Sequence, residues 1–521
     1  MKYQFVTILL ISVLLSSCGS VKQHNKNVYA LRTEKELQKD VDYLHKKLQK
    51  RHPNLYWYIS KQTLDYKFDS LKHTITSPMT GNEFYRQISP LLASIRQGHD
   101  NMSPLVEKIS PKVIKTYQKK GKNPLTQFEY ALFDDKLYIV KNNSADTSVQ
   151  KGSEVVAING ITPQEIYRNF RLTVASDGYN ETFYPKAFAR HFDRYYQSYN
   201  GKPLLDSAFY QLRYNDATEA YWVCRTPNDT SDISKYEKKR TEKVASDISK
   251  HEKKRAEKAA LKTKLTYLEA DSSIALMIIP QFLSTSYSSF YRKKFKQLRE
   301  ANTHTLIIDL RNNTGGAIRN VQKLYAYLID TTFYLTSKVE VASRTSLLQP
   351  NCFKNNSIIK NIFNVLSYHG NLINMGITLL KTKKDDETFY YYQRSAQRAS
   401  HKPLYFNGDM YVLMNGLSFS ASSMLSSNLH GAKRAVFVGE ETGGAYNGCV
   451  AGQYYRFVLP KSKLTGRFGL MAIHHFYQTE IDGRGIMPDI EVGPTLEDRI
   501  NGNDPELNTV LELVRSKEKQ N

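Results

Sequence analysis

Ser420 is the residue of this sequence whose setting most directly offers chemistry. It follows the strand-forming run Tyr411-Val412-Leu413-Met414 and the pair Asn415-Gly416, and a stretch that reads as a helix ending at Gly431 comes after it. Amide groups at a helix start have no intrahelical partner, so an oxyanion developing there meets ready donors. A second strand, Thr305 to Leu310, runs into Arg311-Asn312-Asn313-Thr314-Gly315-Gly316, where glycine lets the backbone come close to a substrate carbonyl. Two such turns at one edge of a sheet have the makings of an acyl-transfer site. A serine still needs an adjacent base. By itself a serine before a helix reads as an N-cap, and Gly98-His99 alone is no stronger a signal. His474-His475 does not form a metal pair, because neighbours on a strand point to opposite faces. No metal and no cofactor is expected.

The elements that must position these residues can be read from periodicity. Thr33-x-x-Glu36 and Thr80-x-x-Glu83 are capping boxes, followed by apolar residues at helical spacing (Leu37, Val41, Leu44, Leu48, then Phe84, Ile88, Leu91, Leu92, Ile95). Pro90 is expected to kink the second helix, and Gly98 to cap it. From about 112 to 225 the pattern turns to short strands, among them Leu137 to Val140 and Glu154 to Ile158, closed by Asn159-Gly160. Lys151 to Gly160, with Thr162-Pro163-Gln164-Glu165 opening a helix, resembles part of a PDZ domain; an unrelated small β-domain is the alternative. Ser231 to Lys243 (SDISKYEKKRTEK) returns at Ser246 as SDISKHEKKRAEK, and residues 231–258 hold ten Lys/Arg against six Asp/Glu. With no apolar stripe, this basic repeat reads as a solvated helical insertion, or as a contact for anionic lipid or an acidic partner. Beyond 265, strands alternate with helices. Ile274 to Ile279 is apolar throughout, as in a sheet covered on both faces.

Taken together, these motifs resemble the C-terminal-processing and tricorn-type serine peptidases. Thr305 to Gly316 is similar to that family's Asp-Leu-Arg-x-Asn-x-Gly-Gly turn. Asn415 to Ser423 resembles its nucleophile turn, Val438 to Gly444 the strand and glycine turn that follow, and Gly485-Ile486-Met487-Pro488-Asp489-Ile490 the closing motif. The resemblance implies Ser420 as nucleophile, with the backbone N–H groups of Ala421 and of Gly315 or Gly316 as the oxyanion hole. Members with a Ser-Lys dyad carry the lysine in the turn that here reads Thr442-Gly443-Gly444-Ala445-Tyr446, which has none. The tricorn-like branch instead implies His99 as general base, oriented by a late carboxylate, either Asp482 or Glu480. Two positions depart from the pattern: the family commonly has Glu three residues after the nucleophile, where this chain has Ser423, and Asp482, a better match by position than its rival Glu480, stands where the family has Glu and reaches one methylene less far. The implied fold is α/β. It has an N-terminal helical region (31–110), a PDZ-like β-domain (111–225), the basic insertion (226–264), a mixed α/β catalytic domain with a central sheet of the ClpP/crotonase kind (265–500), and a tail (501–521).

Composition agrees with a chain of about three domains, at roughly 150 residues each. Of 521 residues, 40% are hydrophobic and 24% charged, which excludes collagen, coiled-coil rods and multi-span membrane proteins. Lys+Arg 73 against Asp+Glu 50 leaves +23. No aromatic-basic module accompanies this charge, so no nucleic-acid partner is expected. The N-terminus has an apolar run from Phe5 to Leu15, too short to span a bilayer of ~30 Å. Leu15-Ser16-Ser17-Cys18 resembles the lipobox of bacterial lipoproteins. That resemblance implies a signal peptide (1–17), lipidation of Cys18, a tether (18–30), and a location in the bacterial cell envelope on a lipid-anchored face. The function expected is a lipid-anchored serine endopeptidase acting on peptides or proteins of the envelope. The alternatives are a peptide-binding scaffold of the same fold without turnover, and a membrane-surface adaptor working through the basic repeat.

Overall fold

The computed structural model describes residues 21–201, 205–226, 263–283, 287–348 and 368–520. Cys18 and the basic repeat at 231–258 lie outside the described residues. Among the described residues, no helix is long and apolar enough to cross a membrane.

The fold is mixed α/β, and its centre is a six-stranded sheet. Across the sheet the strands run Ile490–Glu491, Val436–Gly439, Asp409–Met414, Thr305–Asp309, Ile274–Ile278 and Lys264–Tyr267. The first five are parallel and the last is an antiparallel edge. Strand side chains alternate between faces, and both faces here are apolar. Ala275, Met277, Leu306, Ile308, Met410, Val412 and Met414 join the core under the helices Ser288–Glu300, Ile318–Tyr325 and Ala421–Gly431. Ile274, Leu276, Ile307, Tyr411, Leu413 and Val438 face the other way, onto Val510 and Val514. Those two valines belong to a helix, Pro505–Gln520, where the sequence reading expected a tail. Its apolar residues Leu507, Val510, Leu511 and Val514 recur at helical spacing and cover a sheet face that water would otherwise wet.

The N-terminal helices do not form a separate body. Glu34–Arg51 and Gly81–Ala93 begin at the expected capping boxes, with the Glu36 and Glu83 carboxylates accepting from the Thr33 and Thr80 amides. Their apolar faces enter one core together with the central sheet. The expected tether is also partly structured. Val21–Tyr29 is a helix whose His24 and Asn25 side chains bond the backbone at Val106 and Lys108.

A second sheet is built on the long hairpin of Gly448–Val458 and Thr465–His474, to which Asn101–Ser103 adds as an edge strand. A third, antiparallel sheet runs Phe128–Phe133, Lys136–Asn142, Glu154–Ile158, Ser207–Tyr214 and Ala217–Cys224 with its own core. Asn159 and Gly160 both take positive φ, and Ile158 and Ile161 exchange backbone bonds across them, as a two-residue turn requires. The helices Phe183–Arg190 and Phe192–Asn200 pack on this sheet through Phe188, Phe192 and Tyr196. The strand-like pattern expected for 112–225 does not extend over them.

If the C-terminal helix closes the core, Val510→Asp places an unpaired charge against the sheet and lowers Tm by several degrees or more, a large effect for one side chain. Glu512→Gln, on the exposed side of the same helix, leaves Tm within a degree. Equal melting of the two variants would show that the helix is not part of the folded core.

Candidate active site

Three parallel strands end at the same edge of the central sheet, where open α/β sheets bind their ligands. The turn after Asp309 is held by Arg311, whose guanidinium bonds the Asp309 carboxylate at 2.8 Å and Asp504 at 2.6 Å. It is joined to the turn after Met414 by Asn415, whose Oδ1 accepts from the amides of Asn312 and Leu417, and by Phe419 N–H donating to Asn313 O. The turn after Gly439 closes the third side. Gly485 and Ile486 of the closing motif pack on it, with Ile486 N–H donating to Thr442 Oγ1.

Ser420 sits between these turns with φ 59° and ψ −120°, a conformation that costs a non-glycine residue about 1–3 kcal/mol. Its neighbours hold it there by close approach. A Cβ on Gly315 would lie 2.8 Å from Ser420 Cβ and from Ala421 N, and one on Gly444 would lie 2.9 Å from Ser420 N. Ser423 fits the same crowding. Its hydroxyl donates to Ser418 O, and the Gly444 Cβ position is 2.3 Å from its Oγ.

His99 Nε2 is 3.1 Å from Ser420 Oγ. The two residues are 321 apart in the chain. The turn carrying His99 is pinned by its neighbours: Gln97 Oε1 accepts from Val450 N–H, and Asp100 accepts from Gly469 N–H and bonds His52. Gly98 does not cap the preceding helix, which ends at Ala93 with Ser94 as its cap. It is glycine because a Cβ there would meet Phe419 Cζ at 2.5 Å and Asp177 Oδ1 at 3.1 Å. Phe419 and Tyr454 flank the imidazole, with ring centroids 5.2 and 6.3 Å away.

The carboxylate facing the far side of His99 is Asp177, not Asp482 or Glu480. Asp177 Oδ1 lies 4.0 Å from His99 Nδ1 and accepts from Gly98 N–H at 2.8 Å. Asp482 is turned elsewhere: Oδ2 accepts from Trp57 Nε1–H at 2.6 Å, and Oδ1 from Asn447 and the Gly483 amide. Glu480 is exposed. Asp177 reaches the site because its segment is stitched to the third turn. Ser176 Oγ donates to Gly443 O, and Asn180 Nδ2 to Thr442 O. Nothing local in the sequence marks Ala175-Ser176-Asp177-Gly178 as part of a site.

Burial sets the charge states. It pulls the His99 imidazole down to about 4, helped by the nearby Arg467 charge. It pushes the Asp177 carboxyl up to about 7, against the amides of Gly98 and Ala445 and with the Asp100 charge. His99 is therefore neutral at pH 7 and its Nε2 can accept a proton. The 4.0 Å gap to Asp177 must close by about 1 Å to become a hydrogen bond, and such contacts tighten when substrate binds.

The expected oxyanion donors divide. Gly315 N–H is already given to Asn313 Oδ1 at 2.8 Å. Ala421 is the first residue of its helix, and Gly316, at φ 136°, follows Gly315 in the turn that presses on Ser420. His474 and His475 face different surroundings: His474 pairs with Glu340, while His475 is buried on Ser427 and Tyr446 O.

Residues 273–492 match Peptidase family S41. No curated protein matches the chain. Among solved structures, mature CPAF complexed with lactacystin aligns over 94% of this chain and 99% of that one, at 13% identity and a TM-score of 0.60. Mature CPAF alone aligns over 92% and 97%, at 14% identity and 0.57. At this identity the likeness is one of fold.

Geometry favours Asp177 over Asp482 as the partner of His99. Asp177→Asn should lower kcat/KM by about 10²–10⁴-fold, and Asp482→Asn by less than about tenfold. In the native protein, kcat/KM should fall as pH drops through about 7, where Asp177 takes up a proton, and again near 4 at His99. Asp177→Asn should lose the upper fall and keep the lower. A larger loss for Asp482→Asn would return the role to that residue.

Proposed function

We propose, for a chain that belongs through residues 273–492 to the serine-type peptidases of family S41, that Ser420 is the nucleophile and His99 its general base, in a protein anchored by lipid at the cell envelope. The observation that carries this reading is the 3.1 Å contact between His99 Nε2 and Ser420 Oγ. Ser420 Oγ attacks the peptide carbonyl while His99 Nε2 takes its proton, then returns it to the leaving amine. Asp177, closing on Nδ1–H, orients the ring and stabilises the imidazolium as it forms. The oxyanion is received by the amides of Ala421 and Gly316, since that of Gly315 is engaged. Because these donors and the strained Ser420 are in place beforehand, little reorganisation is needed as charge develops.

The substrate is a peptide or protein chain. A cleft of about 910 Å³ runs between the edge strand Phe128–Phe133 and the helix Phe183–Arg190, and its lining includes Asn312 and Leu417 in the two turns beside Ser420. An edge strand beside a helix accepts an extended peptide by strand addition, the mode of PDZ domains. The envelope anchor rests on the lipobox-like Leu15-Ser16-Ser17-Cys18.

Ser420→Ala and His99→Ala should each abolish nearly all hydrolysis, and the double variant should be scarcely worse, as for groups acting as one unit. A fluorophosphonate probe should label Ser420 in the native protein. A scaffold without turnover would leave the probe unreacted and the variants indistinguishable from the native chain. Cys18→Ser should release a folded, soluble protein from the membrane fraction. Full retention of that variant on membranes would remove the lipid anchor from this reading.

A further inference from the structure

On the side of His99 away from Ser420 lies a group of side chains that peptide hydrolysis uses only in part. Cys449 is buried in the strand Gly448–Val458. Its thiol, an Asp177 carboxylate oxygen and a His99 ring nitrogen lie within 4.8 Å of one another. His99 Nδ1 and Asp177 Oδ2 have no hydrogen-bond partner among the described residues, although the two residues are only 9% and 1% exposed. Buried polar atoms are ordinarily paired. Closure of the His99–Asp177 gap pairs one oxygen with Nδ1; the convergence of both groups with a buried thiol is the arrangement a metal ion bridges.

We propose that His99 Nδ1, Asp177 and Cys449 Sγ form an inhibitory zinc site. One nitrogen, one oxygen and one sulfur make a donor set of borderline softness, which suits Zn²⁺; Mg²⁺ and Ca²⁺ require more oxygens. Zinc bonds of ~2.0–2.3 Å place tetrahedral ligands roughly 3.2–3.8 Å apart. The three side chains must therefore draw together by about 1 Å. On binding, the Cys449 thiol gives its proton to solvent, and the thiolate and carboxylate together offset the double charge of the ion. Asp100 adds a negative charge near Asp177, and Arg467 is the opposing cation near His99.

The inhibition follows from the histidine. A metal on Nδ1 uses that nitrogen's lone pair, so the ring proton must sit on Nε2. Nε2 then donates to Ser420 Oγ and cannot take its proton. This effect on rate rests on His99 being the base; zinc binding itself does not.

The test uses the whole chain and zinc alone, with a chromogenic chelator as competitor. One zinc should bind through this cluster, lower peptide hydrolysis at least tenfold, raise Tm, and be reversed by EDTA, while Mg²⁺ does none of these. Cobalt should give a thiolate-to-metal charge-transfer absorption. Cys449→Ser should lose that absorption, bind zinc at least tenfold more weakly and show no zinc-dependent rise in Tm. Its activity is read as a ratio with and without zinc, so that its own rate cancels. Unchanged zinc affinity in Cys449→Ser, or zinc binding through Cys449 that leaves Ser420-dependent hydrolysis untouched, overturns the proposal. If zinc binds through Cys449 but Ser420→Ala keeps full hydrolysis, the zinc site stands and the Ser420–His99 mechanism fails instead.

Discussion

The site depends on three strand-end turns touching backbone to backbone around Ser420. Cβ positions on Gly315 and Gly444 would fall inside 3 Å of the turn that carries Ser420, and one on Gly416 would fall 2.0 Å from Thr182 O. Only glycine permits these approaches. They hold Ser420 at a φ it would not choose, and so present its hydroxyl and the start of the following helix on one side. The strain is local, and the support for it is spread over the carboxyl edge of the sheet.

Burial then tunes the groups brought to that edge. His99 and Asp177 are both removed from water, which disfavours the charged form of each and lowers the histidine below the aspartic acid. The result is a neutral imidazole beside a carboxyl that titrates near neutrality.

The surrounding architecture explains why the pair is steady. The N-terminal helices share a core with the central sheet, so the loop bearing His99 is fixed to the same body that carries Ser420. The edge strand Asn101–Ser103 and the bonds from Gln97 and Asp100 tie that loop to the long hairpin. On the opposite face, the C-terminal helix seals the sheet, and Arg311 links its approach at Asp504 to the first glycine turn.

Local patterns were enough for the mixed α/β class, for the capped helices at Thr33 and Thr80, and for the strand-turn-helix units around Gly315 and Ser420. Caps, apolar periodicity and glycine turns are encoded within a few residues, and the chain carries them intact. The helix Pro505–Gln520 has a periodic apolar stripe, but its role as a cover shows only once an uncovered sheet face exists. Gly98 reads locally as a helix cap, and its real constraint is Phe419, far along the chain. The carboxylate facing His99 was beyond any local pattern. Gly98 and Asp177 are 79 residues apart, and they meet because Ser176 and Asn180 bond a third turn near residue 443. Sequence determined which segments could build a site; the tertiary packing decided which acid stands behind the histidine, because desolvation and distance exist only after the chain has closed.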